Sequence, residues 1–166
     1  IPFELIIMDD GSTDNSFNIA HDLEVKYPTK VKAYQLSKNY TSNYSIFAGL
    51  SLSQGECAVA IPDDEQQPYY TLVEMYRLWE SGEKVIIPHR TSRDEPLLKR
   101  FFSNSFYKIM NSISEVHYPP GGADIVFIDR EVIDIINSRI HPINTAIVPE
   151  VLRLGFSPFY LPFKRP

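Results

Sequence analysis

The chain has 166 residues, of which 43% are hydrophobic and 13% aromatic. This length suits one domain with a sizeable core and is too short to suggest two. A net charge of -5 argues against a nucleic-acid-binding surface, which is usually basic.

The single cysteine, Cys57, excludes an internal disulfide, and no Cys/His spacing indicates a zinc site. No apolar run approaches the roughly 18 to 20 residues that cross a bilayer. We therefore expect a cytoplasmic domain, whose association with the inner face of a membrane would need segments outside this chain.

The N-terminal part predicts a strand, a turn, a helix and a second strand. Phe3 to Met8 is an apolar run of the kind that is buried in a parallel sheet, and it leads into Asp9-Asp10-Gly11-Ser12. Gly11 can provide the turn, and Ser12 or Asp14 can cap the helix that follows. Because the next strand is expected from Val31 to Leu36, this order predicts a right-handed parallel crossover.

A second acidic turn follows the polar residues 37–44 and a short predicted helix from Ile46 to Leu52. The segment reads GECAVAIPDDEQQPYY: an apolar strand from Cys57 to Ile61, then Pro62, then acids and amides, then Pro68 at the start of a helix. Ligands of open α/β sheets bind outside the carboxyl ends of the strands. We therefore expect both acidic turns at one edge of the sheet.

The second acidic turn is a candidate metal site. Asp64 and Gln66 can face one side of the turn, because side chains alternate along an extended backbone. Such oxygen ligands suit Mg²⁺ or Mn²⁺, whose other positions would be filled by water and phosphate oxygens. The alternative is an acidic loop that only stabilises the N-terminus of the next helix.

The next predicted strand, Lys84 to Pro88, is followed by Arg90 and Arg93. Arginine suits phosphate oxygens, because its planar group donates hydrogen bonds in pairs. A surface salt bridge to Asp94 or Glu95 is an equally simple interpretation.

The remaining elements are predicted from apolar spacing and from Pro and Gly boundaries. Helices are expected from Pro68 to Gly82, from Pro96 to Ile113, from Val132 to Ile136 and, weakly, from Thr145 to Leu154; extended segments are expected at Ile125 to Ile128 and Ser157 to Phe163. Asp124 is the acid that directly precedes the first of these extended segments.

Four segments of the chain resemble the family 2 glycosyltransferases. They are FELIIMDDGSTD, GECAVAIPDDEQQP, VIIPHRTSRDEPLLKRFFSNSFYKIMNSIS and GGADIVFIDREVID. The last two look like the branch that contains dolichol-phosphate mannosyltransferases and bacterial polyprenyl-phosphate glycosyltransferases. The resemblance implies an α/β domain with the GT-A nucleotide-diphospho-sugar transferase fold, a mixed and mostly parallel sheet flanked by helices, over residues 1–166.

The resemblance also implies a reaction and a donor site. A sugar would move, with inversion, from a nucleotide-diphosphate donor to a polyprenyl phosphate or a glycan of the cell envelope, and a divalent metal, Mg²⁺ or Mn²⁺, would assist. By position, Asp10 would contact the nucleotide base, Asp64 would be the main metal-binding acid, and Gln66 would support that site.

On the acceptor side, the resemblance implies that Arg90 and Arg93 lie near phosphate groups of donor or acceptor. Asp124 falls where related enzymes place an acid that acts as base towards a hydroxyl acceptor. A phosphate acceptor would already be anionic and would need no base.

Two departures from the family pattern leave other functions open. Pro62 stands where the usual DxD motif has its first acid, and the family opens with a strand and a Pro-x-Tyr-Asn-like loop that this chain lacks before its DDGS unit. We therefore expect a fragment of a longer protein or, alternatively, a non-catalytic remnant that serves binding or assembly. A metal-dependent phosphoacceptor or hydrolase would need a nucleophile or an essential lysine near the acids, for which Lys38 is the only candidate.

Overall fold

The computed structural model describes residues 1–64, 68–90 and 123–163. The strands in these ranges are β1 (Leu5–Asp9), β2 (Val31–Gln35), β3 (Cys57–Val59), β4 (Val85–Arg90), β5 (Phe127–Asp129) and β6 (Phe159–Phe163). The helices are α1 (Ser16–Lys26), α2 (Ser42–Leu52), α3 (Tyr69–Glu80), α4 (Arg130–Arg139) and α5 (Ile147–Arg153). None of these helices is long and apolar enough to cross a membrane. The helix predicted from Pro96 lies outside the described residues.

The strands form two sheets. β1 pairs with β2 in parallel, from Leu5 opposite Val31 to Asp9 opposite Gln35, as the predicted crossover requires. The second sheet has the strand order β3-β5-β4-β6, in which β5 is antiparallel to both of its neighbours and β4 is parallel to β6. The mixed α/β class predicted from the sequence is confirmed. Because β5 runs against β3 and β4, its N-terminal end lies at the same edge as their carboxyl ends.

Helices cover both faces of the four-stranded sheet. α2, α4 and α5 pack on one face in a shared core cluster with Val85 and Ile87 of β4. On the other face, Met75 of α3 packs against Ile86 and Phe127. The inner strand β4 is therefore buried on both sides, which explains its continuous apolar run.

The α2 helix and the segment before β1 connect the two sheets. Among the described residues, β1 pairs only with β2, and β3 pairs only with β5. Gly49 of α2 lies so close to β1 that an added Cβ would be 3.2 Å from Cγ of Met8. The Glu4 carboxylate accepts hydrogen bonds from the backbone N–H groups of Gln54 (2.6 Å) and Gly55 (2.8 Å), just before β3.

Cys57 in β3 is a free and half-buried thiol. Burial, with smaller effects of the carboxylates of Asp129 and Glu56, raises its pKa from the ordinary value of 9.0 to about 11. Two pKa units reduce the thiolate fraction at pH 8 about 100-fold. We expect iodoacetamide to alkylate the folded protein at pH 8 at least about 100-fold more slowly than the urea-unfolded protein, as followed by mass spectrometry. Equal rates in the two states would contradict this prediction.

Candidate active site

Asp9, the last residue of β1, is a buried carboxylate that holds the turn after the strand. Its Oδ1 accepts hydrogen bonds from the backbone N–H of Ser12 (2.8 Å) and from Nε2 of Gln35 (3.0 Å) on β2. Burial opposes the ionisation of Asp9, but these hydrogen bonds outweigh it and lower its pKa. Asp9, the first acid of the Asp9-Asp10 pair, therefore uses its carboxylate in hydrogen bonds within the protein.

Asp10 lies at the junction of two loops. Its Oδ1 accepts a hydrogen bond from the backbone N–H of Tyr40 (2.8 Å), in the loop between β2 and α2. The next residue, Gly11, has φ +73, and a Cβ added to it would be 2.4 Å from the carbonyl carbon of Lys38. Only glycine allows the two loops to approach this closely. The turn after β1 and the loop after β2 thus form one unit with the Asp10 carboxylate between them.

The loop after β2 presents aromatic and cationic side chains beside Asp10. Lys38 Nζ lies 4.9 Å from the centre of the Tyr40 ring, and the ring of Tyr44 lies 5.8 Å from the Tyr40 ring. Thr41 has φ 85, an uncommon value for a β-branched residue, so this loop is held in a strained backbone conformation. A carboxylate next to exposed ring surface can accept from the N–H or hydroxyl groups of a nucleoside.

A cavity of about 370 Å³ lies beyond the same tyrosines, between α2 and α4. Tyr40, Tyr44 and Phe47 form its α2 side, and Ile136 and Asn137 belong to its α4 side. No charged side chain lines it among the described residues. The cavity is therefore not suited to a diphosphate group.

The edge of the four-stranded sheet carries the second set of predicted site residues. Asp64 is exposed and follows β3, while Asp124 is exposed and lies three residues before β5. Arg90 is the last residue of β4, and the structure describes its backbone only. Strand direction therefore brings Asp64, Asp124 and Arg90 to the same edge, whereas Asp10 lies at the end of β1 in the other sheet. Gln66 and Arg93 lie outside the described residues.

Asp64 can bind a hard cation only together with ligands from outside the described side chains. Within residues 1–64, 68–90 and 123–163, no three His, Cys, Asp or Glu side chains converge closely enough to hold a metal ion. Mg²⁺ is commonly bound through one or two carboxylates together with substrate phosphates and water. The exposed carboxylate of Asp64 suits this arrangement, and Pro62 contributes no side-chain ligand.

His89 also lies at this edge of the sheet, and the sequence did not single it out. It precedes Arg90 on β4, and its ring stands edge-on to Tyr160 of β6, with 6.3 Å between the ring centres. Burial raises the pKa of that tyrosine. The Nδ1 atom of His89 is buried and has no hydrogen-bond partner in the described part of the chain. Side chains alternate between the two faces of a sheet along a strand, so the sequence of β4 could have shown that His89 lies on the same face as Val85 and Ile87.

The features above define an α/β domain with acidic turns at the carboxyl ends of its strands, the place where such folds bind ligands. Residues 1–134 match the family described as glycosyl transferase family 2. The chain belongs to this family, which confirms the resemblance seen in the sequence.

Several curated proteins are similar to the chain. It is 31% identical over 133 residues to the uncharacterized glycosyltransferase YkcC of Bacillus subtilis, an alignment that covers 80% of this chain and 41% of the relative. It is 29% identical over 137 residues to an uncharacterized glycosyltransferase of Synechocystis, covering 82% and 43%. It is 28% identical over 150 residues to the bactoprenol glucosyl transferase of Shigella phage SfV, covering 90% and 48%. The chain therefore spans less than half the length of each of these relatives.

Proposed function

We propose that the protein containing this chain transfers a sugar from a nucleotide-diphosphate donor to a polyprenyl phosphate at the inner face of a membrane. The observation that carries the proposal is the position of Asp64, Asp124 and Arg90 at one edge of the sheet in a family 2 glycosyltransferase domain. The similarity to a protein named bactoprenol glucosyl transferase supports a lipid acceptor. A glycan of the cell envelope is the alternative acceptor.

Asp10 is proposed to bind the nucleoside of the donor. One of its carboxylate oxygens holds the Tyr40 N–H, and the carboxylate retains further acceptor capacity for an N–H of the base. The half-exposed Tyr40 ring beside it offers an apolar surface against which a base can pack. This arrangement predicts that nucleotide binding and the conformation of the loop after β2 are linked.

Asp64, supported by Gln66, is proposed to hold Mg²⁺ or Mn²⁺ against the donor diphosphate. When bound, the metal would offset negative charge on the departing phosphate oxygen. Arg90 and Arg93 are assigned to phosphate groups of donor or acceptor, because guanidinium groups pair with such oxygens in bidentate fashion. The donor is thus proposed to be held through its base at one sheet and through its phosphates at the other.

Asp124 is proposed to act as general base where the acceptor is a glycan hydroxyl, whose proton passes to the Asp124 carboxylate. A polyprenyl phosphate needs no base and attacks with an oxygen that is already anionic. In both cases the acceptor oxygen forms a bond to C1 of the sugar. The bond from C1 to the β-phosphate oxygen breaks, and the nucleoside diphosphate leaves with the electron pair. Attack opposite the leaving group inverts the configuration at C1.

The open edges of β1 and β3 support a further part of the proposal. Each of these strands has one partner among the described residues, and Leu5 of β1 is 48% exposed. We propose that one additional strand of the longer protein pairs with these edges and completes a single glycosyltransferase domain. Paired edges would also remove the exposed backbone groups that make open strands prone to association.

The donor proposal is tested by calorimetric titration of the intact protein with UDP, GDP and their common sugar conjugates, first with Mn²⁺ and then with EDTA. We expect one nucleotide to bind, with affinity that falls when the metal is removed. Failure of a demonstrably folded protein to bind any nucleotide would overturn the enzymatic proposal. It would instead favour a non-catalytic role in binding or assembly.

A further inference from the structure

The inference concerns His89, and it rests on the function proposed above. We propose that His89 binds the acceptor: its imidazole donates a hydrogen bond to an anionic oxygen of a prenyl phosphate held opposite Asp124.

Strand register places His89 and Asp124 on one face of the sheet. Val85 pairs with Ile128 and Ile86 with Phe127 in the β4–β5 ladder. The alternation continues beyond the ladder, because Ile87 and Val126 lie together in the core cluster that contains Val85 and Ile128.

The ladder ends at the pair of Ile86 and Phe127. If the same register is continued, it leads to His89 on β4 and Asp124 before β5. We infer from this that the two side chains face one another across the edge of the sheet.

The His89 side chain is partly buried and lies beside β6. Within the described ranges, its Nδ1 atom is buried without a partner, and the ring packs edge-on against Tyr160. A buried nitrogen without a partner costs stability, and such atoms in native proteins often mark functional sites. The ring packs against Tyr160, and we assign its other nitrogen, Nε2, to the ligand.

A phosphate monoester matches this pair of residues. Its second pKa is about 6, so near neutral pH it presents both an anionic oxygen and, in part, an O–H group. The imidazole N–H can donate a hydrogen bond to the anionic oxygen, and an O–H group that keeps its proton can donate a hydrogen bond to the Asp124 carboxylate. Among the described residues, the charged and titratable groups next to His89 on its own and neighbouring strands are Arg90 on β4, Asp124 before β5 and Tyr160 on β6. Asp63 and Asp64 follow β3, which lies one strand further along the sheet.

Kinetics of the intact protein with a prenyl phosphate acceptor provide the first test. His89→Phe keeps a ring against Tyr160 but removes the donor, so we expect the acceptor KM to rise roughly 10- to 100-fold, as for loss of one hydrogen bond to a charged group. His89→Gln should recover part of this loss, since its amide also donates. Donor affinity, measured by calorimetry, should stay within about twofold in both variants. His21→Phe, at an exposed histidine of α1, is the matched control and should leave the acceptor KM unchanged.

Histidine side-chain NMR of the intact, ¹⁵N-labelled protein provides a second test that needs no turnover. We expect farnesyl phosphate to shift the His89 ring resonances, and inorganic phosphate to do so only at much higher concentration. An uncharged oligosaccharide should leave them unchanged; a shift with the oligosaccharide instead would overturn the prenyl phosphate assignment.

The kinetic and binding results separate this inference from the proposed function. An unchanged acceptor KM in His89→Phe with transfer intact would overturn the inference alone. Absence of both donor binding and transfer in the wild-type protein would overturn the proposed function and, with it, this inference.

Discussion

Asp64→Ala is expected to lower kcat/KM of the intact protein at least about 100-fold, since a catalytic metal contributes several kcal/mol to a transition state. The substitution removes the carboxylate that we assign to the metal, and Pro62 cannot replace it as a ligand. Nucleotide affinity should also lose its dependence on Mn²⁺. Both quantities can be measured with a radiolabelled nucleotide sugar and by calorimetry with and without EDTA.

The neighbouring acid supplies the control for this prediction. Asp63 is also exposed and follows the same strand, but we do not assign it to the metal. Asp63→Ala changes the net charge by the same amount and should keep most of the activity. Equal losses in the two variants would show that the turn acts through its total charge. Full activity of Asp64→Ala would exclude the proposed metal role.

Much of the fold could be predicted because apolar runs in this chain end at Pro, Gly or acidic residues. The first strand was expected from Phe3 to Met8 and extends from Leu5 to Asp9; the helix expected after Pro68 extends from Tyr69 to Glu80. Helix α2 begins at Ser42, earlier than the predicted Ile46. Its first turn is polar and shows no apolar periodicity, so hydrophobic spacing could not reveal it.

Strand pairing and the roles of single acids depended on contacts that local sequence does not contain. β5 was predicted as a short strand, but its antiparallel pairing between β3 and β4 follows from long-range packing. The sequence pattern could not distinguish Asp9 from Asp10. The distinction arises because Gln35 and Ser12 engage Asp9, whereas Asp10 faces the loop at Tyr40. His89 likewise could not be singled out before the pairing of β4 with β5 was known, because only the continued register leads from it to Asp124.

The contact between the two loops at the nucleotide side leads to the second large prediction, Gly11→Ala. Alanine at φ +73 is strained by about 1 kcal/mol. In addition, its Cβ would lie 2.4 Å from the carbonyl carbon of Lys38 and 2.7 Å from the backbone nitrogen of Asn39. Backbone atoms cannot rotate away as a flexible side chain can, so one loop must move. We expect a total loss of about 2–4 kcal/mol in the free energy of unfolding.

Gly155→Ala separates the two causes, because Gly155 has a similar φ of +83 but no atom within 4 Å of an added Cβ. This control should lose only about 1 kcal/mol, from backbone strain, in urea unfolding. Movement of the Lys38–Tyr40 loop would also take the Tyr40 N–H away from Asp10, where it now lies 2.8 Å from Oδ1. Nucleotide affinity should therefore fall more than about tenfold in Gly11→Ala, as for a lost hydrogen bond to a charged group, and stay unchanged in Gly155→Ala. Equal stability and equal affinity in the two variants would mean that the close approach of the loops neither limits folding nor positions Asp10 for the donor.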